Sequence, residues 1–459
     1  MIWASLAIAG VATRDADRSP QIGEKQMGGI SFPVPREISE TGLRKGVLED
    51  LAIKILYLHG ELSIVELGDL ACLSAEVMDE IFQFLRKEQL CEVRGMSGGS
   101  HRVTATGRGR DRAAELLSIN QYAGPAPVAL ADYVARVETQ SVAHTIVRPA
   151  DLDRAFRQLV LQPEIIDRLG AAVASGSSIF LHGPTGTGKT TIASCIPSIY
   201  NDSVWIPYAL EVDSQIIALH DPGVHIPSSD PSPEEFDRRW ILCRRPCVVA
   251  GGELSAEMLD LQYNAVSRFF MAPLQMKANN GVLILDDVGR QRMPTEQLLN
   301  RWMTPLDRRV DYLSLQSGRK FAMPFDLFVV FSTNLNPLEI TDAAFLRRIP
   351  NKIEIAHASR RQFIQIFEDE CLRRGLTYEP DIPEFVAQYI TQEMNQPLCQ
   401  CYPRDLLNQI FWTANYQGET ATLNRETLKG ACRNYFLSAK ISEDDRAPTV
   451  KSSSSNSKF

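Results

Sequence analysis

The stretch Gly183-Pro-Thr-Gly-Thr-Gly-Lys-Thr190 has the spacing GxxxxGK[ST] and follows a short apolar run, Ser178–Leu181. In that position Gly183, Pro184, Thr185, Gly186, Thr187 and Gly188 are expected to make a tight turn. Its backbone N–H groups would point at phosphate oxygens. The helix that follows adds its positive dipole end. Lys189 would reach the β- and γ-phosphates of a nucleotide, Thr190 would offer its hydroxyl to Mg²⁺, and Thr191 would complete the cradle.

About a hundred residues on, Val282-Leu-Ile-Leu285 reads as a buried strand that ends in Asp286-Asp287. A carboxylate at the C-terminal edge of a central strand sits where open α/β sheets bind ligands. Asp286 is the expected Mg²⁺ holder. Asp287 would orient or deprotonate an attacking water, with capping of the following turn as its alternative role. A third strand, Leu327–Phe331, ends in Ser332-Thr333-Asn334, and Asp342-Ala-Ala-Phe-Leu-Arg347-Arg348 follows it. Tyr402-Pro-Arg404 then opens a helix in a C-terminal helical region.

Taken in this order, the motifs over residues 150–440 resemble the AAA+ ATPases. The resemblance implies ATP as the nucleotide. It also implies an α/β fold: a phosphate-loop core with a parallel sheet flanked by helices, and a C-terminal helical lid. It further implies that Asn334 positions the lytic water and that Arg347 or Arg348, with Arg347 favoured, acts as an arginine finger in a neighbouring subunit's site. Arg404 would be the lid arginine that contacts the γ-phosphate. Many such ATPases carry Glu where Asp287 stands, and the shorter side chain predicts slow turnover.

These residues need elements to position them. The apolar runs alternate with helical stretches from 150 to 356, as a parallel sheet covered on both faces requires. Residues 357–441 hold four helical stretches. Residues 41–118 read as three helices and a β-hairpin (Cys91–Arg94, a tip at Gly95, Gly98 and Gly99, then Arg102–Thr106), an order that resembles a winged helix-turn-helix. Residues 1–40 are expected to be a flexible leader, 119–149 a linker and 442–459 a disordered tail. The stretch 205–255 is long for a crossover and is expected to be an insertion facing a ring pore or a partner. Arg309–Leu315 and Arg319–Met323 flank Gln316-Ser-Gly318 as a second hairpin, similar to one found in magnesium-chelatase-like and MoxR-like AAA+ proteins. His220 and His225 flank Asp221 and are expected in a solvated loop rather than at a metal.

The 459 residues carry a net charge of −8, which gives no global field to draw in nucleic acid or an anionic membrane. Over 41–118, ten Lys/Arg oppose twelve Asp/Glu, a net of −2. The outer positions of the third helix, Glu76, Asp79, Glu80 and Gln83, form an acidic edge that phosphate would repel. Nine scattered cysteines without CxxC spacing point to reduced thiols in the cytoplasm. No segment reads as a membrane span.

The expectation is therefore a cytoplasmic Mg²⁺-dependent ATPase that works as a homo-oligomer, a hexamer by family resemblance, on an unknown protein client. Nucleic acid is the disfavoured partner. A DNA-directed ATPase and a slow nucleotide switch are the alternatives. No aromatic–Gly pore loop is found, which argues against threading. The winged helix joined to this core, with Phe345-Leu-Arg-Arg-Ile-Pro350, resembles bacterial ATPases with chaperone activity linked to pilus assembly.

Overall fold

The computed structural model describes residues 33–230 and 235–436. The tail expectation, and the leader expectation up to residue 32, lie outside the described residues.

Five strands form the central sheet: β1 (Ile179–His182), β2 (Cys247–Ala250), β3 (Val282–Leu285), β4 (Phe328–Thr333) and β5 (Asn351–Glu354). All neighbours are parallel and the order is β2-β3-β4-β1-β5. Helices cover both faces, so β3 and β4 are buried from end to end, which is why they read as unbroken apolar runs. The alternation of the strands splits the core in two. Phe180, Leu283, Leu285, Val329 and Phe331 pack against Leu298, Leu299 and Trp302 of the helix Thr295–Arg308. Ile179, Leu181, Ile284, Phe328 and Val330 pack on the other face against Leu169 and Val173 of the helix Pro163–Ala174 and Ile192 behind the glycine-rich loop.

Register then fixes the site. Leu285 pairs with Phe331, so two residues further Asp287 comes level with Thr333. Thr333 pairs with His182, so Asn334 comes level with Gly183. The glycine-rich loop, the Asp pair and Asn334 thus leave the sheet side by side at its C-terminal edge.

Between the glycine-rich loop's helix and β2 the chain builds extra strands; the insertion expected over 205–255 is corrected at its end, because Cys247–Ala250 pairs with β3 and belongs to the central sheet. Ser203–Pro207 pairs antiparallel with Trp240–Arg244. A second sheet takes Ala209–Val212 and Gln215–Ala218, joined at Asp213-Ser214 with φ of 51° and 69° as a two-residue hairpin turn prefers. It continues through Phe270–Met271 to Gln262–Tyr263. The stretch 119–149 holds the strand Val128–Ala129, which joins this sheet, and the helix Leu130–Thr139, whose Tyr133 and Val137 share its core. The expected second hairpin is present as Val310–Ser314 with Lys320–Pro324, and Leu313, Phe321 and Met323 enter the same core.

The front unit runs helix Lys45–His59, strand Glu61–Ser63, helices Ile64–Ala71 and Ala75–Lys87, then a hairpin of Cys91–Ser97 with Ser100–Ala105. The three-residue strand pairs with the hairpin and completes a three-stranded sheet. Ser63 and Glu66 form a capping box, and Ser74 caps the next helix through the Val77 N–H. Val77, Met78, Ile81, Phe82 and Leu85 are buried on that helix. A fourth helix, Gly107–Ile119, follows. The C-terminal region holds four helices among its described residues: Arg360–Arg373, Ile382–Gln392, Tyr402–Gln417 and Arg425–Tyr435 surround Phe363, Phe367, Leu406 and Leu428. Among the described residues no helix is long and apolar enough to cross a membrane.

Candidate functional site

The loop after β1 folds as its glycines demand. Gly183 has φ of +139° and a side chain there would run into the Ile355 carbonyl. Gly186 has φ of +80°, and a Cβ would sit 2.8 Å from Cys401 Sγ. Both positions thus exclude any other residue. Lys189 opens the helix Lys189–Cys195 and is buried, 5% exposed. Its ammonium donates to the carbonyls of Gly183 and Pro184 at 2.9 and 2.7 Å. Burial pushes its pKa down, while Asp287 and Asp286 pull it back up. A phosphate oxygen is a stronger acceptor than either carbonyl, so this ammonium would exchange neutral partners for a charged one.

Beyond β3, the Asp287 N–H donates to Asp286 Oδ1 at 3.1 Å. Asp287 is left-handed, φ 51°, a conformation that costs most residues about 1–2 kcal/mol and Asp somewhat less. Asn334 Nδ2 donates to Asp287 Oδ1 at 3.1 Å. The pair stands as a carboxylate acceptor beside an amide that keeps a second donor and a carbonyl oxygen for other partners.

Thr185–Ile192, Asp287 and Asn334 line a cavity of about 540 Å³, a volume typical of small-ligand sites. Its lining also includes Leu159, Val160 and Leu161 from the segment ahead of Pro163–Ala174, and Ile366 from the first helix of the C-terminal region. The lid closes directly on the loop: Cys401 N–H donates to Gly186 O at 3.2 Å, and the Cys399 thiol lies 3.7 Å from Thr185 O. Arg404 lines the cavity from the first turn of Tyr402–Gln417, with its Nε on Asp405 at 3.0 Å. The donor set fits a polyphosphate with Mg²⁺. The N–H-rich loop and Lys189 face its charge, and Thr190 presents a hydroxyl; Asp286, the expected Mg²⁺ holder, is next to Asp287 in the turn but is not among the residues that line the cavity.

Arg347 and Arg348 are not among the residues lining this cavity within the chain. Arg348 is held by Asp307 at 2.7 Å with its side chain 13% exposed. Arg347 is exposed at the end of the helix Ala343–Leu346, and no described residue pairs with its side chain.

The sequence reading passed over Arg290 and Arg373, both of which line the cavity. Arg373 pairs with Glu370 at 2.6 Å. The signal for Arg290 was its place just after Gly289, whose φ of +101° bends the chain after Asp287. The expectation for His225 is corrected, while His220 is half-buried. His225 is fully buried, not in a solvated loop; its Nδ1 accepts the Asp221 N–H at 2.9 Å and its Nε2 meets Lys277 O at 2.9 Å. Among the described residues no group of three or more His, Cys, Asp or Glu is arranged to hold a metal ion.

Residues 359–434 match the family described as "Domain of unknown function (DUF8689)". No curated protein matches the chain. Among solved structures, NtrX from Brucella abortus in complex with ADP is similar at 16% identity and TM-score 0.37, over 66% of this chain and 60% of that one. A second NtrX structure from the same organism matches at 11% identity and TM-score 0.37, over 76% and 61%. The Thermotoga maritima RuvB Holliday junction branch migration motor matches at 14% identity and TM-score 0.34, over 59% and 68%. The chain thus spans 60% and 61% of the length of the two NtrX chains.

Proposed function

We propose that this chain is a Mg²⁺-dependent ATPase of the AAA+ type, working in the cytoplasm as a homo-oligomer, a hexamer by resemblance, that remodels a protein client. The observation that carries the reading is the convergence of three parallel strand ends on one cavity: Lys189 after β1, Asp287 after β3 and Asn334 after β4. The nine cysteines are all free thiols, which suits a reducing compartment.

The geometry supports the following division of labour. The loop N–H groups and Lys189 bind and orient the triphosphate, and most of the catalysis of phosphoryl transfer is positioning and charge stabilisation. Thr190 and Asp286 would hold Mg²⁺, which when bound neutralises phosphate oxygens. Asp287 accepts the proton of the attacking water, and Asn334, bonded to it, fixes the direction of that carboxylate. Arg404 senses the γ-phosphate and couples it to the lid. Arg347, exposed and unpaired, is the better finger than Arg348, whose guanidinium is engaged. An arginine supplied by a neighbour makes activity depend on assembly.

A protein rather than DNA as client is supported by the front unit. Its third helix is not a free edge. Glu80 accepts from Ile38 N–H at 3.4 Å and from Lys45 at 3.2 Å, and Ser74 donates to the Pro35 carbonyl. The chain's own residues 35–45 thus lie against that acidic helix, the one a winged helix would offer to the major groove. The direct test is Lys189→Ala. We expect labelled ATP to bind at least about tenfold more weakly, because one charged hydrogen bond contributes about 1.5–3 kcal/mol. Binding equal to wild type would contradict the assignment.

A further inference from the structure

Arg290 has no part in the mechanism above, yet it lines the cavity together with Lys189, Asp287 and Asn334. Its backbone is fixed on every side. Val288 N–H donates to Ser332 O at 2.8 Å, and Thr333 Oγ1 donates to Val288 O at 2.8 Å, which staples the turn to β4. Gln291 brackets the same turn, its Nε2 donating to Asp286 O at 3.0 Å and its Oε1 accepting Gly289 N–H at 2.9 Å. Arg290 N–H itself donates to Asp287 O at 2.9 Å.

The other cations of the cavity are engaged. Lys189 is held by the loop carbonyls, Arg373 by Glu370 and Arg404 by Asp405. Arg290 is exposed, and no described residue bonds to its guanidinium. A planar fork of five donors without a protein partner, beside a loop built for phosphate, matches a phosphoryl group's oxygens in two-point fashion.

We infer that Arg290 is a cis-acting phosphate ligand of this site, contacting the transferring γ-phosphoryl group from the same turn that carries Asp287. This inference rests on the ATPase reading and adds a residue to it. Asp287 and Arg290 sit three residues apart in one stapled turn, so the base and this cation hold a fixed relation within a single chain. A finger from a neighbour then adds to a positive charge already present.

The test is Arg290→Ala in the full-length chain. At saturating Mg-ATP we expect turnover to fall about 10²-fold or more, the cost of removing one donor aimed at transition-state charge, while ATP affinity stays within about twofold. Added guanidinium ion should raise the turnover of Arg290→Ala and leave wild type unraised, and Arg290→Lys should recover part of the loss. Unchanged turnover in Arg290→Ala overturns the inference and leaves the ATPase reading standing. Turnover and affinity lost together also overturn it, because they report a collapsed turn rather than a missing ligand. Mixing Lys189→Ala with Arg290→Ala subunits should recover nothing, since each site lacks one of its own residues; recovery would mean that Arg290 acts on a neighbour. A wild type without ATP turnover would instead remove the reading beneath.

Discussion

Arg347 and Arg348 are identical in type and adjacent in sequence, and their surroundings separate them. Arg348 is anchored to Asp307 across 41 positions, whereas Arg347 projects from a short helix end. Arg348→Ala should therefore lower stability by about 1 kcal/mol, the scale of a half-exposed pair, with turnover retained. Arg347→Ala should leave stability and ATP binding alone and cut turnover by about 10³-fold or more. Thermal melts and steady-state assays on the two variants decide this; equal turnover losses would refute the division. The glycine-rich turn and the helix after it were legible from spacing alone because that backbone geometry is local. The partner of Arg348 was not, because Asp307 is distant in sequence. Arg290 was missed for a related reason: a turn residue acquires meaning only once the turn's direction is known.

Among the elements, the central strands were legible because burial on both faces leaves an apolar run that no other context explains, as at Val282–Leu285 and Phe328–Phe331. Strands of two or three residues carry no such pattern. Glu61–Ser63 and Val128–Ala129 exist because a neighbouring edge recruits them. The loop bearing His225 was misread for the same reason, since its acceptor, the Lys277 carbonyl, is 52 residues away. Burial holds the His225 pKa at about 4, below its usual 6.5. The folded state thus binds fewer protons than the unfolded state between those values, and the stability His225 contributes is full above pH 6.5 and lost as pH falls towards 4. The loss should be about 2 kcal/mol at pH 5. Denaturant unfolding of wild type and His225→Phe at pH 7 and pH 5 checks it. The variant should be weaker at pH 7 and show the smaller drop between the two. An equal drop in both would refute the account.

Over the whole molecule, the front unit is tied to the insertion rather than strung from it. Arg239 is buried with Asp237, and its Nη1 donates to Thr41 O at 2.9 Å and Pro127 O at 3.2 Å. Arg238 adds an exposed contact to Asp69 at 2.7 Å. Such an arrangement holds the front unit against the insertion more firmly than a free tether would. Arg239→Ala leaves Asp237 buried without its cation, with only the backbone N–H of residue 239 still donating to it, at a cost of about 3–5 kcal/mol. Limited proteolysis should then cut between residues 119 and 127 at least about tenfold faster, with ATP binding intact; an unchanged cleavage rate would show that the clamp does not hold the front unit.

The most direct measurement on the central claim is ATP binding and steady-state turnover of wild type and Asp287→Asn, side by side. The account predicts measurable turnover in wild type, equal ATP affinity in the two, and turnover in Asp287→Asn lower by about 10²-fold or more, since the carboxylate that takes the water's proton is gone. Equal turnover in the two proteins, or a wild type that binds ATP and never hydrolyses it, would contradict it.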